Sequence, residues 1–434
     1  MENKYIYSKV FFIYSLLFIY VSLIPFYYLP YLNIGKISLP IFKYLHLLFI
    51  FFLFKFSLAK IKQIDFKSRL NILILVYLVL TFLSGLFTNY YLISLSKAFY
   101  YALTGITLYF LLAALSWTEK RIENFLILFV CIGFLVSIYG LFTFILQKNI
   151  IFSHLLPNKS VLISPEVFLE YGRISSVFTN PHLLAIFLSA IFPLAAYLWL
   201  KQKRLFGFLL YAVVNLIIAG AMILTFSLES DICLFVVCVF CLFSREYGNI
   251  SFPYRKITRI IFIFILFVSI CVLSVAGFYL YFKVNNISYG ESVFLGRIKL
   301  SMLANPHGFS FRWESVILAF KNWFINSGFG LGIGKIENGT NIIGRLTLDN
   351  FYCTSLLEYG FWATAVMLAV FASFVFNIFK NKNKHKLVLI MGVSICSFFV
   401  GMFFCEPLHH PTLRIFFWSL AGMLTGFINA ITRT

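Results

Sequence analysis

Apolar residues run along this chain in stretches of bilayer length, and that pattern fails for longest between Lys283 and Tyr352. A run of roughly 18 or more apolar residues reads as a membrane span, because about 20 helical residues cross about 30 Å of hydrocarbon. The pattern predicts twelve spans, near residues 10–29, 41–59, 70–88, 98–117, 124–146, 177–200, 205–226, 229–244, 257–282, 353–379, 385–404 and 413–430. Only Ser227 and Leu228 separate the seventh from the eighth. The runs are continuous, where a membrane β-barrel would alternate. Helices then satisfy every backbone polar group within the bilayer. The expected fold is an all-α polytopic membrane protein, one integral domain over residues 1–434.

Two polar connections are long. Residues 147–176 join spans five and six, and residues 283–352 join spans nine and ten. Within the second, Phe311–Phe324 puts Val316, Phe320 and Trp323 on one helical face, with Ile317 and Phe324 beside them. That pattern predicts an amphipathic helix lying in the membrane interface.

Composition agrees with the pattern: 61% of the residues are hydrophobic and 12% are charged. The net charge of +20 is explained by where the cations sit. Lys60, Lys62, Lys67 and Arg69 follow span two; Lys201, Lys203 and Arg204 follow span six; Lys380, Lys382, Lys384 and Lys386 follow span ten. Such clusters fall on alternate short connections. The positive-inside rule puts those connections, and both termini, in the cytoplasm. The charge therefore reflects topology, and no nucleic-acid partner is implied. Acids gather on the opposite side, among them Glu229, Asp231, Glu314, Asp349, Glu358 and Glu406. The eight cysteines show no metal-ligand spacing with histidine, so neither a metal nor another cofactor is expected.

Several polar constellations carry candidate chemistry. Arg173 lies in Gly172-Arg173-Ile174-Ser175-Ser176, just before Asn180-Pro181-His182 opens span six. An arginine fork at a helix mouth suits a phosphate, and free N–H groups there favour an anion. Contact with lipid headgroups, with Asn180 as a helix cap, is the plainer alternative. Arg312, at the start of the interfacial helix, is a second anion ligand or an anchor, and Arg297 is a third cation. The run Gly328, Gly330, Gly332, Gly334 does not have phosphate-loop or dinucleotide spacing. It suits tight backbone packing or close approach to a polar ligand. Asp349 can serve as a base for an acceptor hydroxyl. Asp349 and Asn350 also both suit a helix cap. Glu229 and Asp231 near the start of span eight, and His182, are further titratable candidates. The histidine pair before Pro411 reads as ordinary partnered polar residues.

These pieces, in this order, resemble the O-antigen ligase/polymerase superfamily. The resemblance runs from about Arg173 to Phe361. It rests on residues 172–188 (GRISSVFTNPHLLAIFL), on LTFS at 224–227, on FRW at 311–313 with SGFGLGIG at 327–334, and on LDNFYCTSLLEYGFW at 348–362. It implies a GT-C-type architecture in a bacterial cytoplasmic (inner) membrane, with the site on the outer face and a large outer loop between spans nine and ten. It implies inverting, metal-independent transfer of glycan from undecaprenyl pyrophosphate, with membrane lipid and a chain-length regulator as further partners. By motif, Arg173 and Arg312 correspond to the family's pyrophosphate-binding arginines. Two departures stand out. Leu228 follows Ser227 where the family often has arginine, and Asp349-Asn350 stands where many ligases have His-Asn. The second favours a polymerase of lipid-linked repeat units over an O-antigen ligase. It leaves the base open among Asp349, Glu229 and His182. A flippase for lipid-linked oligosaccharide is the alternative of another class.

Overall fold

The structure is a computed structural model. It describes residues 14–23, 31–34, 37–61, 66–88, 91–146, 173–178, 180–225, 227–243, 328–333 and 350–433, with Ile263, Ile317, Phe320 and Lys321 singly. In chain order, helix α1 (Tyr14–Leu23) precedes a hairpin of β1 (Tyr31–Ile34) and β2 (Ile37–Pro40). Then come α2 (Ile41–Ile61), α3 (Arg69–Leu86), α4 (Tyr91–Tyr101), a π-helical segment (Ala102–Thr107), α5 (Leu108–Ala113) and α6 (Glu119–Leu146). After these follow α7 (Pro181–Leu200), α8 (Leu205–Leu224), α9 (Leu228–Phe243), α10 (Phe351–Glu358), α11 (Gly360–Asn381), α12 (Lys386–Gly401) and α13 (Pro411–Arg433).

The elements of the described residues are thus helices apart from one short hairpin, in which Leu32 pairs with Leu39 and Ile34 with Ile37. An all-α reading of the sequence does not anticipate those strands, although residues 32–34 and 37–39 alternate apolar and polar around Gly35-Lys36, as a short hairpin does. Among the described residues, seven helices are long and apolar enough to cross a membrane: Arg69–Leu86, Tyr91–Ala113, Glu119–Leu146, Pro181–Leu200, Leu205–Leu224, Gly360–Asn381 and Pro411–Thr432. Tyr14–Leu23, Leu45–Lys55 and Lys386–Gly401 are shorter apolar helices. The run expected at 257–282 lies outside the described residues, Ile263 excepted. Large apolar side chains such as Val79, Leu135, Phe206 and Phe376 face outward. In water that arrangement would be costly, whereas hydrocarbon favours it.

The chain divides into two compact units. The first comprises Met1–Phe125, Phe309–Ile395 and Met402–Thr434. In it α13 packs along α5 and the π segment, and α11 packs along α3. Gly422 lets α13 come close, since a methyl group there would lie 2.7 Å from the Tyr109 carbonyl oxygen. Small residues at such crossings are the usual means of close helix contact in membranes. The second unit comprises Leu126–Gly308 and Cys396–Gly401. Its centre is α7, buried along its whole length and packed against α8 and α9.

One expected span, 353–379, is two helices. The chain breaks between α10 and α11 at Tyr359, where Gly360 adopts φ +82°. The glycine run explains the break. Gly328, Gly330 and Gly332 all have positive φ, which glycine adopts without steric cost. They fold the chain back onto the end of α10, where Leu331 N–H donates to the Leu357 carbonyl at 2.7 Å and Gly332 N–H to the Glu358 carbonyl at 3.0 Å. Phe361 N–H returns a bond to the Gly328 carbonyl at 2.9 Å. Carbonyls that a helix end leaves without partners are satisfied this way. The run therefore packs backbone on backbone, the first of the two roles its sequence suggests.

Candidate functional site

The second unit holds the most developed polar site. Residues 173–178 carry no helix, yet all six are buried. Irregular backbone is tolerated at membrane depth only where protein or a water-filled cavity surrounds it. Here Ile174 N–H donates to the Leu224 carbonyl at the end of α8 (3.1 Å), and Ser176 Oγ donates to the Val136 carbonyl on α6 (2.6 Å). Ser176 holds φ +54°, a left-handed conformation that costs a non-glycine residue about 1–2 kcal/mol. The bond to Val136 offsets part of that cost.

The segment delivers Arg173, only 7% exposed, to the corner between α8 and α9. Its Nε donates to the Thr225 carbonyl at 2.8 Å and its Nη2 to Ser227 Oγ at 3.2 Å. Nη2 also lies 3.3 Å from His182 Nε2, and the other ring nitrogen, Nδ1, lies 3.4 Å from Ser227 Oγ. The His182 ring therefore touches both groups, one through each nitrogen, with donor and acceptor roles set by its tautomer. The Thr225 carbonyl, the Ser227 hydroxyl and the His182 ring set the orientation of the guanidinium. The corner is itself braced: Ser230 Oγ donates to the Ser227 carbonyl at 2.7 Å, and Thr225 Oγ1 to the Met222 carbonyl at 2.6 Å. Two helix N-termini point into this region, that of α7 behind Pro181 and that of α9 behind Ser227, and such ends attract anions.

Each residue expected at the site can now be placed. Asn180 caps α7, accepting from His182 N–H at 2.8 Å. Asn350 caps α10, accepting from Tyr352 and Cys353 N–H at 3.0 and 3.1 Å, and its amide donates to the Phe403 carbonyl. Glu229 lies in the first turn of α9. Asp231, one turn in, is buried. Arg173 and His182 are brought together. Arg297, Arg312 and Asp349 lie outside the described residues, so the convergence expected of Arg173 with Arg312 does too. Of the interfacial segment only Ile317, Phe320 and Lys321 are described, each helical and exposed.

The first unit contains a cluster the residue pattern did not single out. His409 Nδ1 lies 3.2 Å from Glu406 Oε2, and its Nε2 lies 3.6 Å from Glu358 Oε2. Tyr359 Oη is 3.3 Å from the same Nε2, and Thr354 Oγ1 bonds Glu406. Glu358 is fully buried at the end of α10, and the rings of Tyr101 and Phe351 stand edge-on to the imidazole. The carbonyl of the neighbouring His410 accepts from Arg414 N–H at 3.0 Å. Burial and then the Arg414 charge push the His410 pKa down to about 3. Burial, followed by the Glu406 carboxylate, lifts the Cys353 thiol to about 11. Arg414 is itself buried, donating from Nε to Thr104 Oγ1 (2.9 Å) and from Nη1 to the Leu408 carbonyl (3.0 Å), with its guanidinium 3.8 Å from the Tyr101 ring centre. The signal in the sequence was weak: two acids at span ends and a His-His-Pro that resembles any helix start.

No protein-family model matches the chain, and no curated protein matches it.

Proposed function

We propose that this protein is a membrane glycosyltransferase that joins lipid-linked oligosaccharide repeat units into a surface polysaccharide. The motif order of the O-antigen ligase/polymerase superfamily supports the class. Asp349 in place of a ligase-type histidine favours polymerisation over transfer to lipid A-core. Twelve spans, a GT-C-type arrangement, a bacterial inner membrane and a site on its outer face belong to the same reading.

The single observation that carries it is the state of Arg173. A buried guanidinium, oriented by the Thr225 carbonyl, Ser227 and His182 beside two helix N-termini, is preorganised for an anion. In the proposed reaction an acceptor hydroxyl of one repeat unit attacks the anomeric carbon of another. The bond from that carbon to the pyrophosphate oxygen breaks, and the electron pair leaves with undecaprenyl pyrophosphate. Arg173, joined by Arg312 and with Arg297 as a further cation, stabilises the charge on the leaving diphosphate. The hydroxyl proton passes to a carboxylate, Asp349 or Glu229. His182 orients Arg173 through the contacts described above. Asn180, the cap of α7, and Asn350, the cap of α10, are the further substrate-binding candidates.

The test is incubation of purified protein with undecaprenyl-pyrophosphate-linked repeat units. The expected product is a ladder of lengths differing by one unit. A single addition to lipid A-core, with no ladder, would instead assign the ligase, and no product with either acceptor would refute both.

A further inference from the structure

A cavity of about 650 Å³ lies in the first unit among the ends of α3, α11 and α13. Its size falls in the range of ligand pockets. Arg69 and Lys380 contribute two positive charges to its lining, which includes no aspartate or glutamate among the described residues. Asn71, Asn377 and Asn429 add three carboxamides. Asn71 is buried, and Tyr109 fixes it by donating to its Oδ1 at 2.9 Å. Phe376 also lines the cavity and is 66% exposed, so one wall is apolar and turned outward.

Position adds to composition. Arg69 begins one apolar helix of crossing length, Lys380 lies in the last turn of a second, and Asn429 lies near the end of a third. The three ends share one cavity, which puts it at headgroup depth if those helices span a bilayer. It also stands at the end marked by Lys67, Lys382, Lys384 and Lys386. We propose that this cavity binds the phosphate headgroup of an anionic membrane phospholipid. Arg69 and Lys380 supply the charge, the asparagines supply directional hydrogen bonds, and the outward wall at Phe376 accepts the upper acyl chain. Basic pockets between membrane helices are suited to such headgroups. This site is separate from the proposed transfer chemistry, and its test does not depend on that reading.

The test uses the full chain, purified in detergent and stripped of lipid, with bound lipid counted by native mass spectrometry. Phosphatidylglycerol is titrated against phosphatidylcholine. Phosphatidylglycerol should bind roughly tenfold tighter, and the exposed pair Arg69→Gln with Lys380→Gln should remove roughly that factor. The pair Lys201→Gln with Lys203→Gln, exposed cations on the α7–α8 connection, serves as the control and should leave binding unchanged. Millimolar inorganic phosphate should fail to displace the lipid. Equal binding of both lipids, an equal loss in the control pair, or displacement by inorganic phosphate would each overturn the proposal.

Discussion

The Nε of Arg173 donates to the main-chain carbonyl of Thr225 at 2.8 Å, across 52 residues of sequence. That bond ties a buried, non-helical segment to the end of α8 and sets the orientation of the guanidinium plane. Lysine has one point charge and no planar fork, so it cannot make the Thr225 bond and reach Ser227 and His182 together. Arg173→Lys should therefore lose most transfer activity while the protein still accumulates in the membrane. Polymer of normal length in that variant would show that charge alone suffices.

His182 is the second test of that geometry. His182→Ala removes the ring contact to Nη2 but leaves the bond to Thr225. It should lower turnover by about 10- to 100-fold, the scale seen when an orienting partner is lost. His182→Gln retains a hydrogen-bonding side chain and should recover part of the rate. Equal rates for both variants would remove His182 from a positioning role.

The backbone contact of the glycine run predicts a stability effect. A methyl group on Gly330 would stand 2.6 Å from the Glu358 carbonyl oxygen, with φ at +77°. Backbone on that side cannot yield as a side chain would. Gly330→Ala should cost more than the roughly 1–2 kcal/mol of left-handed strain alone. Gly220, inside α8, has no atom within 4 Å of such a methyl. Gly220→Ala should stabilise by up to about 1 kcal/mol through helix propensity. Thermal melts in detergent check the contrast, and a neutral Gly330→Ala would mean that the packed contact is not formed.

His409 and the two carboxylates predict an asymmetry. Glu358 is fully buried against the imidazole, whereas the Glu406 side chain is 22% exposed. Leaving a buried polar group without its partner costs roughly 1–3 kcal/mol, and solvent relieves part of that at an exposed partner. Glu358→Ala should lower the melting temperature more than Glu406→Ala, with the reverse order excluding the buried Glu358–His409 contact as the stronger of the two.

His410 gives stability a pH dependence of known sign. Its unfolded pKa is about 6.5. Burial and Arg414 hold the folded value near about 3. Between those values the unfolded chain binds the extra proton, so stability falls as pH drops below about 6.5. At about pH 5 the loss is about 2 kcal/mol relative to His410→Gln, which has no such proton to bind. Melting curves of the two proteins between about pH 7.5 and pH 5 should diverge on the acid side only.

Much of this arrangement is legible in the residue pattern, and its gaps have physical causes. Helix periodicity is unnecessary in a bilayer, so run length alone located α3, α6, α7, α8 and α13 to within a few residues. Asn180 and Asn350 cap where their chemistry predicts. The α8–α9 corner was visible as two residues and proved to be a tight, hydroxyl-braced turn. What escaped was whatever depends on distant parts of the chain. The break at Gly360 needs Gly328 and Gly330 to fold onto α10. The start of α4 at Tyr91 was missed because Lys97 looks like a span boundary. Glu358 and His409 are 51 residues apart, and nothing local to either marks the partner.

The central claim is that Arg173 holds a diphosphate. Direct binding of undecaprenyl pyrophosphate to the purified protein, compared between the native chain and Arg173→Ala, tests it without requiring turnover. Loss of a buried charge-assisted contact worth roughly 1.5–3 kcal/mol predicts at least about tenfold weaker binding in the variant. Equal affinity in two proteins that melt alike would contradict the account.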